Sequence, residues 1–119
     1  MEIEIVFYSK EDGTEPVVEF LNSLDNKMKA KVLRTIDLLS SYGFELREPF
    51  SKPLEDGIFE LRAQIGNNIS RVLYFFMVGS KAVLTNGFVK KTQKTPANEI
   101  ALAKKYQSDF LSREGNIND

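Results

Sequence analysis

Three runs rich in apolar and β-branched residues, Ile58 to Ala63, Ile69 to Val78 and Ala82 to Val89, follow one another with only Gly66-Asn67-Asn68 and Gly79-Ser80 between them. Linkers this short cannot carry a crossover, so neighbouring runs must pair antiparallel; glycine and asparagine supply the positive φ that tight hairpin turns need. The segment commits the chain to a three-stranded meander, around which the rest of the fold is built.

Upstream, residues 2–8 alternate, with Ile3, Ile5 and Phe7 on one side, which predicts a half-buried first strand. After the turn Glu11-Asp12-Gly13, Pro16 opens a short helix carrying Val17, Phe20, Leu21 and Leu24. Asp25 is placed to cap a second helix with Met28, Val32, Leu33, Ile36 and Leu39 on one stripe, stopped near Gly43. Phe44 to Gly57, with Pro49 and Pro53, reads as a connector. Thr95-Pro96 reads as a cap and first-turn proline for a last helix to about Leu111, with 112–119 a frayed tail. The expected architecture is α+β in the order β-α-α-β-β-β-α: a small twisted, mainly antiparallel sheet with an N-terminal helical hairpin and a C-terminal helix. At 119 residues one domain is expected.

The chain has no cysteine, histidine or tryptophan. Disulfides, thiol nucleophiles, serine-histidine relays and histidine- or thiolate-ligated metals are therefore excluded. Any catalysis must use lysine, arginine, tyrosine or carboxylates, or a nucleophile brought by the substrate. The acidic start MEIEIVFY does not read as a signal peptide, and no apolar run reaches the roughly 18–20 residues that span a bilayer. The cytoplasm is the expected compartment.

Charge is divided along the chain. Residues 1–60 carry 7 basic and 13 acidic side chains, whereas residues 61–119 carry 9 basic and 4 acidic ones. A basic half of this kind suits a polyanion such as nucleic acid, or an acidic protein segment.

Side-chain parity brings part of that charge together. A two-residue turn at Gly79-Ser80 sets Arg71 opposite Phe88, with Lys90 on the same face. A two-residue turn within 66–68 puts Arg62 on the face of Arg71, directly opposite it in one register, and Glu60 joins them; a three-residue turn would flip the parity. Like charges facing each other destabilise a sheet, so either Glu60 neutralises them or an anion lies between two guanidinium forks. Leu73, Phe75, Met77 and Leu84 continue this face. Phe59, Leu61, Val72, Tyr74, Phe76 and Val83 form the other, a bed for helices. Phe88 and Tyr74 are the candidate substrate-binding aromatics, Phe88 by stacking on an unpaired base and Tyr74 as a core or rim tyrosine rather than a catalytic phenol. Lys90, Lys91 and Lys94 precede the last helix and make a phosphate-friendly corner with its N-terminus.

Gly57-Ile58-Phe59-Glu60-Leu61-Arg62, Arg71-Val72-Leu73-Tyr74-Phe75 and Gly87-Phe88-Val89-Lys90-Lys91-Thr92-Gln93-Lys94-Thr95-Pro96 together resemble the RelE/ParE toxin superfamily. The likeness is greatest to its HigB-type, phage-derived branch of type II toxin-antitoxin toxins. Val18-Glu19-Phe20-Leu21, Leu54-Glu55-Asp56-Gly57 and Glu99-Ile100-Ala101-Leu102-Ala103-Lys104 extend it over about residues 3–111. The resemblance implies a compact α+β toxin that cleaves mRNA, usually on the ribosome, and is silenced by a cognate antitoxin. It assigns Arg62, Arg71, Lys90, Lys91 and Lys94 to the family's basic positions. Some relatives use a histidine or a C-terminal tyrosine at the site; this chain has no histidine, and Tyr106 has no motif match.

RNA carries its own nucleophile, the 2′-hydroxyl. Cleavage needs that hydroxyl aligned and deprotonated, the phosphorane charge stabilised, and an acid for the leaving 5′-oxygen. Arg62 and Arg71 suit the phosphorane; Lys90, Lys91, Lys94 or Glu60 suit the proton transfers. The expectation is a metal-independent, cofactor-free endoribonuclease that leaves a 2′,3′-cyclic phosphate, with mRNA, the ribosome and an antitoxin as partners and no membrane. A ParE-like gyrase inhibitor and a non-catalytic nucleic-acid-binding module are the alternatives.

Overall fold

The computed structural model describes residues 2–90 and 94–118. Its elements are β1 (Glu4–Phe7), α1 (Pro16–Ser23), α2 (Asn26–Tyr42), β2 (Ser51–Pro53), β3 (Ile58–Ile65), β4 (Asn68–Met77), β5 (Lys81–Lys90) and α3 (Ala97–Asn118). The strands form one sheet in the order β1-β5-β4-β3-β2. β1 is parallel to β5 and the other pairs are antiparallel. The fold is thus α+β as expected, with one strand more than the sequence suggested. β2 lies within the proline-containing connector and has only three residues, ending on Pro53; an edge strand tolerates a proline that an inner strand would not.

The helical hairpin covers one sheet face. The Asp25 carboxylate accepts the Met28 N–H at 2.8 Å and starts α2; Gly43, at φ 56°, ends it. Met28, Val32, Ile36 and Leu39 pack with Val17 and Leu21 of α1 against Leu61, Val72, Tyr74 and Leu84. Leu33 departs from its expected place in this stripe and is 41% exposed. Its position is about a quarter turn from Val32, and the inward slot goes to Thr35, whose hydroxyl is satisfied by the Lys31 carbonyl at 2.9 Å. Gly87 lets α1 approach: a Cβ there would lie 2.4 Å from the Phe20 ring.

α3 covers the other face, packing Leu102, Ala103, Tyr106 and Phe110 onto Ile58, Leu73, Phe75, Val83 and Phe88. It does not fray at residue 112 but runs to Asn118. At residue 113 the helix is tied to the segment after β1: Arg113 bonds the Ser9 carbonyl and lies over the Tyr8 ring, and it pairs with Asp109 one turn back in α3. Nor does Thr95-Pro96 open α3 as a cap and first-turn proline. The helix starts at Ala97, with the Pro96 carbonyl accepting the Glu99 and Ile100 N–H groups.

The register of the meander departs from expectation in an instructive way. The β3–β4 turn has two residues, Gly66-Asn67, so Arg62 faces Arg71. The β4–β5 turn has three, because Met77 pairs with Lys81; that shifts parity and puts Val83 on the α3 face and Leu84 on the hairpin face, the reverse of the expected assignment. A β-bulge then leaves Thr85 between the Leu84 and Asn86 pairings and restores the shift, so Arg71 still faces Phe88. Thr85 is buried, and its hydroxyl bonds the Leu73 carbonyl at 3.1 Å and the Asn86 side chain at 2.7 Å.

Candidate active site

On the α3 face, three cross-strand rows converge. Lys52, Glu60 and Leu73 form one; Arg62, Arg71 and Phe88 the next; Gln64, Ile69 and Lys90 the third. The middle row sets two arginines against each other, and the carboxylate one row away lies between them. Glu60 Oε2 is 3.5 Å from Arg62 Nε and Glu60 Oε1 is 3.5 Å from Arg71 Nε. The Thr95 hydroxyl also donates to Glu60 Oε1. The segment leading into α3 is thereby tied to the charges on the sheet.

Burial divides the cluster into an inside and an outside. Arg71 is 0% exposed and Glu60 1%, whereas the Arg62 side chain keeps 19% of its surface. Burial pushes the Arg71 pKa down, the Glu60 carboxylate opposes that shift, and the Arg62 charge adds to it. An arginine starts so far above neutrality that it stays charged. Arg71 and Glu60 therefore form an internal ion pair, and Arg62 is the guanidinium that an incoming anion can meet.

The sequence-derived candidates separate accordingly. Arg62, Arg71 and Glu60 are brought together. Lys90 is exposed one row along the same face, Lys94 is exposed in the cleft beside Lys52 and Thr95, and Lys91 lies outside the described residues. Glu60 is poorly placed to serve as a base, since it is buried and both of its oxygens are engaged. Phe88 is only 8% exposed and belongs to the core beneath α3, so it presents no stacking surface. Tyr74 is not at this site. It lies on the hairpin face, 1% exposed, with its phenol hydrogen-bonded to Ser51 and its pKa raised chiefly by burial.

Three neighbours escaped the sequence reading. Lys52 pairs with Glu60, and with Lys94, Thr95, Leu54 and Ile100 it lines a cleft of about 240 Å³. Glu55 also lines this cleft and is bridged, like Asp56, by Lys104. Thr95 was legible only as a helix cap. Phe50 accepts the Arg62 N–H on its carbonyl at 2.9 Å. The Lys52-Pro53 step carries no alternation that could have revealed a strand. Among the described residues, no group of three acidic side chains is placed to hold a metal ion, and no helix is long and apolar enough to cross a membrane.

Comparison with known proteins gives a family for the chain. No curated protein matches the chain. Residues 19–108, however, match the family described as phage derived protein Gp49-like (DUF891), over a span that contains Glu60, Arg62, Arg71, Phe88, Lys90 and Thr95. The chain belongs to the phage-derived Gp49-like family, a family of RelE/HigB-like toxin-type proteins.

Proposed function

We propose that this chain is the toxin of a type II toxin-antitoxin system and acts as a metal-independent endoribonuclease on mRNA engaged by the ribosome. The observation that carries the reading is the partly exposed Arg62 guanidinium, backed by the buried Glu60–Arg71 pair, with Lys52 and Lys90 exposed on the adjoining rows of the same sheet face and Lys94 exposed just ahead of Thr95. Opposed like charges are costly in a sheet, and their retention around one carboxylate fits a site built for a phosphate.

In this mechanism the substrate's 2′-hydroxyl loses its proton to a lysine and attacks the adjacent phosphorus. Arg62 stabilises the phosphorane charge, and Arg71 acts through Glu60 to hold Arg62 in position. The P–O5′ bond breaks, a second lysine protonates the leaving 5′-oxygen, and the products are a 2′,3′-cyclic phosphate and a 5′-hydroxyl. Lys90 and Lys94, with Lys91, are the proton-transfer candidates. The ribosome contributes alignment of the message, and a cognate antitoxin neutralises the basic face.

Mapping mRNA 5′ ends after induction tests the reading. Cuts within translated codons, insensitive to chelator and abolished by Arg62→Ala, are expected; intact messages with arrested growth would overturn it. Burial of Arg71 and Glu60 favours one other reading, a basic face that holds nucleic acid without turnover. In that case lysine changes weaken salt-dependent binding and no cleavage is found.

A further inference from the structure

With Phe88 buried, a base next to a phosphate held at Arg62 has lost its expected partner, yet another aromatic lies beside that arginine. Phe50 is 40% exposed. Its carbonyl accepts the Arg62 N–H at 2.9 Å, and its own N–H donates to the Arg47 carbonyl at 3.0 Å. The backbone is thus tied on both sides while the ring meets solvent.

A single exposed phenylalanine is ordinary; the cleft it lines is what gives this one meaning. That cleft measures about 240 Å³ and has Phe50, Pro49 and Ile69 as apolar walls, with Arg62, Gln64 and Lys31 supplying polar groups. It is smaller than the roughly 300 Å³ at which pockets for drug-sized ligands begin, so it suits one planar ring system. The lining offers an aromatic ring to stack on, the Gln64 amide oxygen for a base edge, its nitrogen being held by the Gly66 carbonyl at 2.9 Å, and cations for the flanking backbone, which is the chemistry that recognises an unpaired nucleobase.

We infer that this cleft is a nucleobase subsite for single-stranded RNA, in which Phe50 stacks on the base adjoining the phosphate bound by Arg62; the inference rests on the ribonuclease reading above.

The chain lacks tryptophan, so Phe50→Trp creates a single fluorescent reporter at the subsite. The probe is a hexanucleotide RNA carrying 2′-O-methyl on every ribose, which removes the nucleophile and prevents cleavage. Quenching of the tryptophan by this probe, and not by an abasic ribose-phosphate oligomer of equal length, is expected. Phe50→Leu should weaken binding by about tenfold to a hundredfold, the range of one lost base–aromatic stack, with no change in the slope of affinity against salt. If the probe binds but Phe50→Leu retains full affinity and the tryptophan emission does not change, the subsite is refuted while the RNA reading stands. Equal quenching by the abasic oligomer also refutes it. If wild type binds neither oligomer, the subsite is refuted, and the 5′-end mapping described above decides separately whether the RNA reading stands.

Discussion

Arg62 and Arg71 stand directly opposite each other on neighbouring strands, and the Nε atom of each lies 3.5 Å from the single carboxylate of Glu60. Two like charges in that relation oppose strand pairing, so the stability of the β3–β4 ladder at this point depends on Glu60. Glu60→Gln keeps the volume and removes the charge that compensates buried Arg71. We expect a loss of about 3–5 kcal/mol, read as a lower urea midpoint at unchanged m. Replacing Glu60 by Leu and Arg71 by Met together should cost less than Glu60→Gln alone, because no uncompensated buried charge is left. Equal stability of Glu60→Gln and wild type would show that the three groups are not coupled.

Tyr74 separates packing from chemistry. Its phenol bonds Ser51 on the face away from the arginines, and both residues are buried. Tyr74→Phe strands the Ser51 hydroxyl and should cost about 1–3 kcal/mol. Messages cut by the purified variant below its melting temperature should match the wild-type pattern and rate. A cleavage defect without a stability defect would return Tyr74 to the site.

Lys52 faces the same cleft as Lys94 and is paired with Glu60 across the edge of the sheet. If it holds a backbone phosphate, Lys52→Ala should lower the slope of log affinity against log salt by about 0.7 for single-stranded RNA. Lys27→Ala, on the exposed side of α2, provides the comparison and should leave the slope as it is. An identical slope for both variants would exclude Lys52 from the RNA path.

The docking of α3 on the segment just after β1 should respond to pH through Tyr8 and Asp109. The Tyr8 phenol donates to Asp109 at 2.6 Å, and burial followed by that bond raises its pKa from 10.0 to about 12. A folded pKa above the unfolded one means that the folded state holds the proton more tightly. Its contribution, up to about 3 kcal/mol, is therefore complete below pH 10 and lost as pH rises from 10 through about 12. Asp109 runs the other way: the Tyr8 hydrogen bond and then Arg113 lower its pKa, so its contribution is present above the usual carboxylate range and lost on acidification through the depressed value. Melting temperatures of wild type and Tyr8→Phe across both windows test this. The variant should lose the decline between pH 10 and 12 and show a shallower acid limb; an undiminished alkaline decline would exclude Tyr8 as its source.

Much of the fold was legible because local rules and tertiary packing agree in those segments. Asp25 and Gly43 bound α2 as capping chemistry requires, and Gly66-Asn67 makes the tight turn that sets Arg62 against Arg71. Phe88 was placed opposite Arg71 for an incomplete reason: the turn at 78–80 has three residues, and only the bulge at Thr85 restores the register. Thr85 is a good strand residue, and no local propensity marks it as the residue left unpaired. Lys52 and Phe50 were hidden because a three-residue edge strand ending in proline carries no periodic signal.

By itself, then, the sequence determined the meander, the helical hairpin and the excluded chemistries, and narrowed the two arginines to one sheet face given a two-residue turn, since each follows from spacing, turn residues or composition within a few positions; the direct pairing of Arg62 with Arg71 came from the register of the folded strands. Only the tertiary structure decided which of those charges meet solvent. Burial depends on what packs over a side chain, and here α3 and Thr95 come from more than 20 positions away to close over Arg71 and Glu60, while α3 also covers Phe88, leaving Arg62 at the surface beside Phe50.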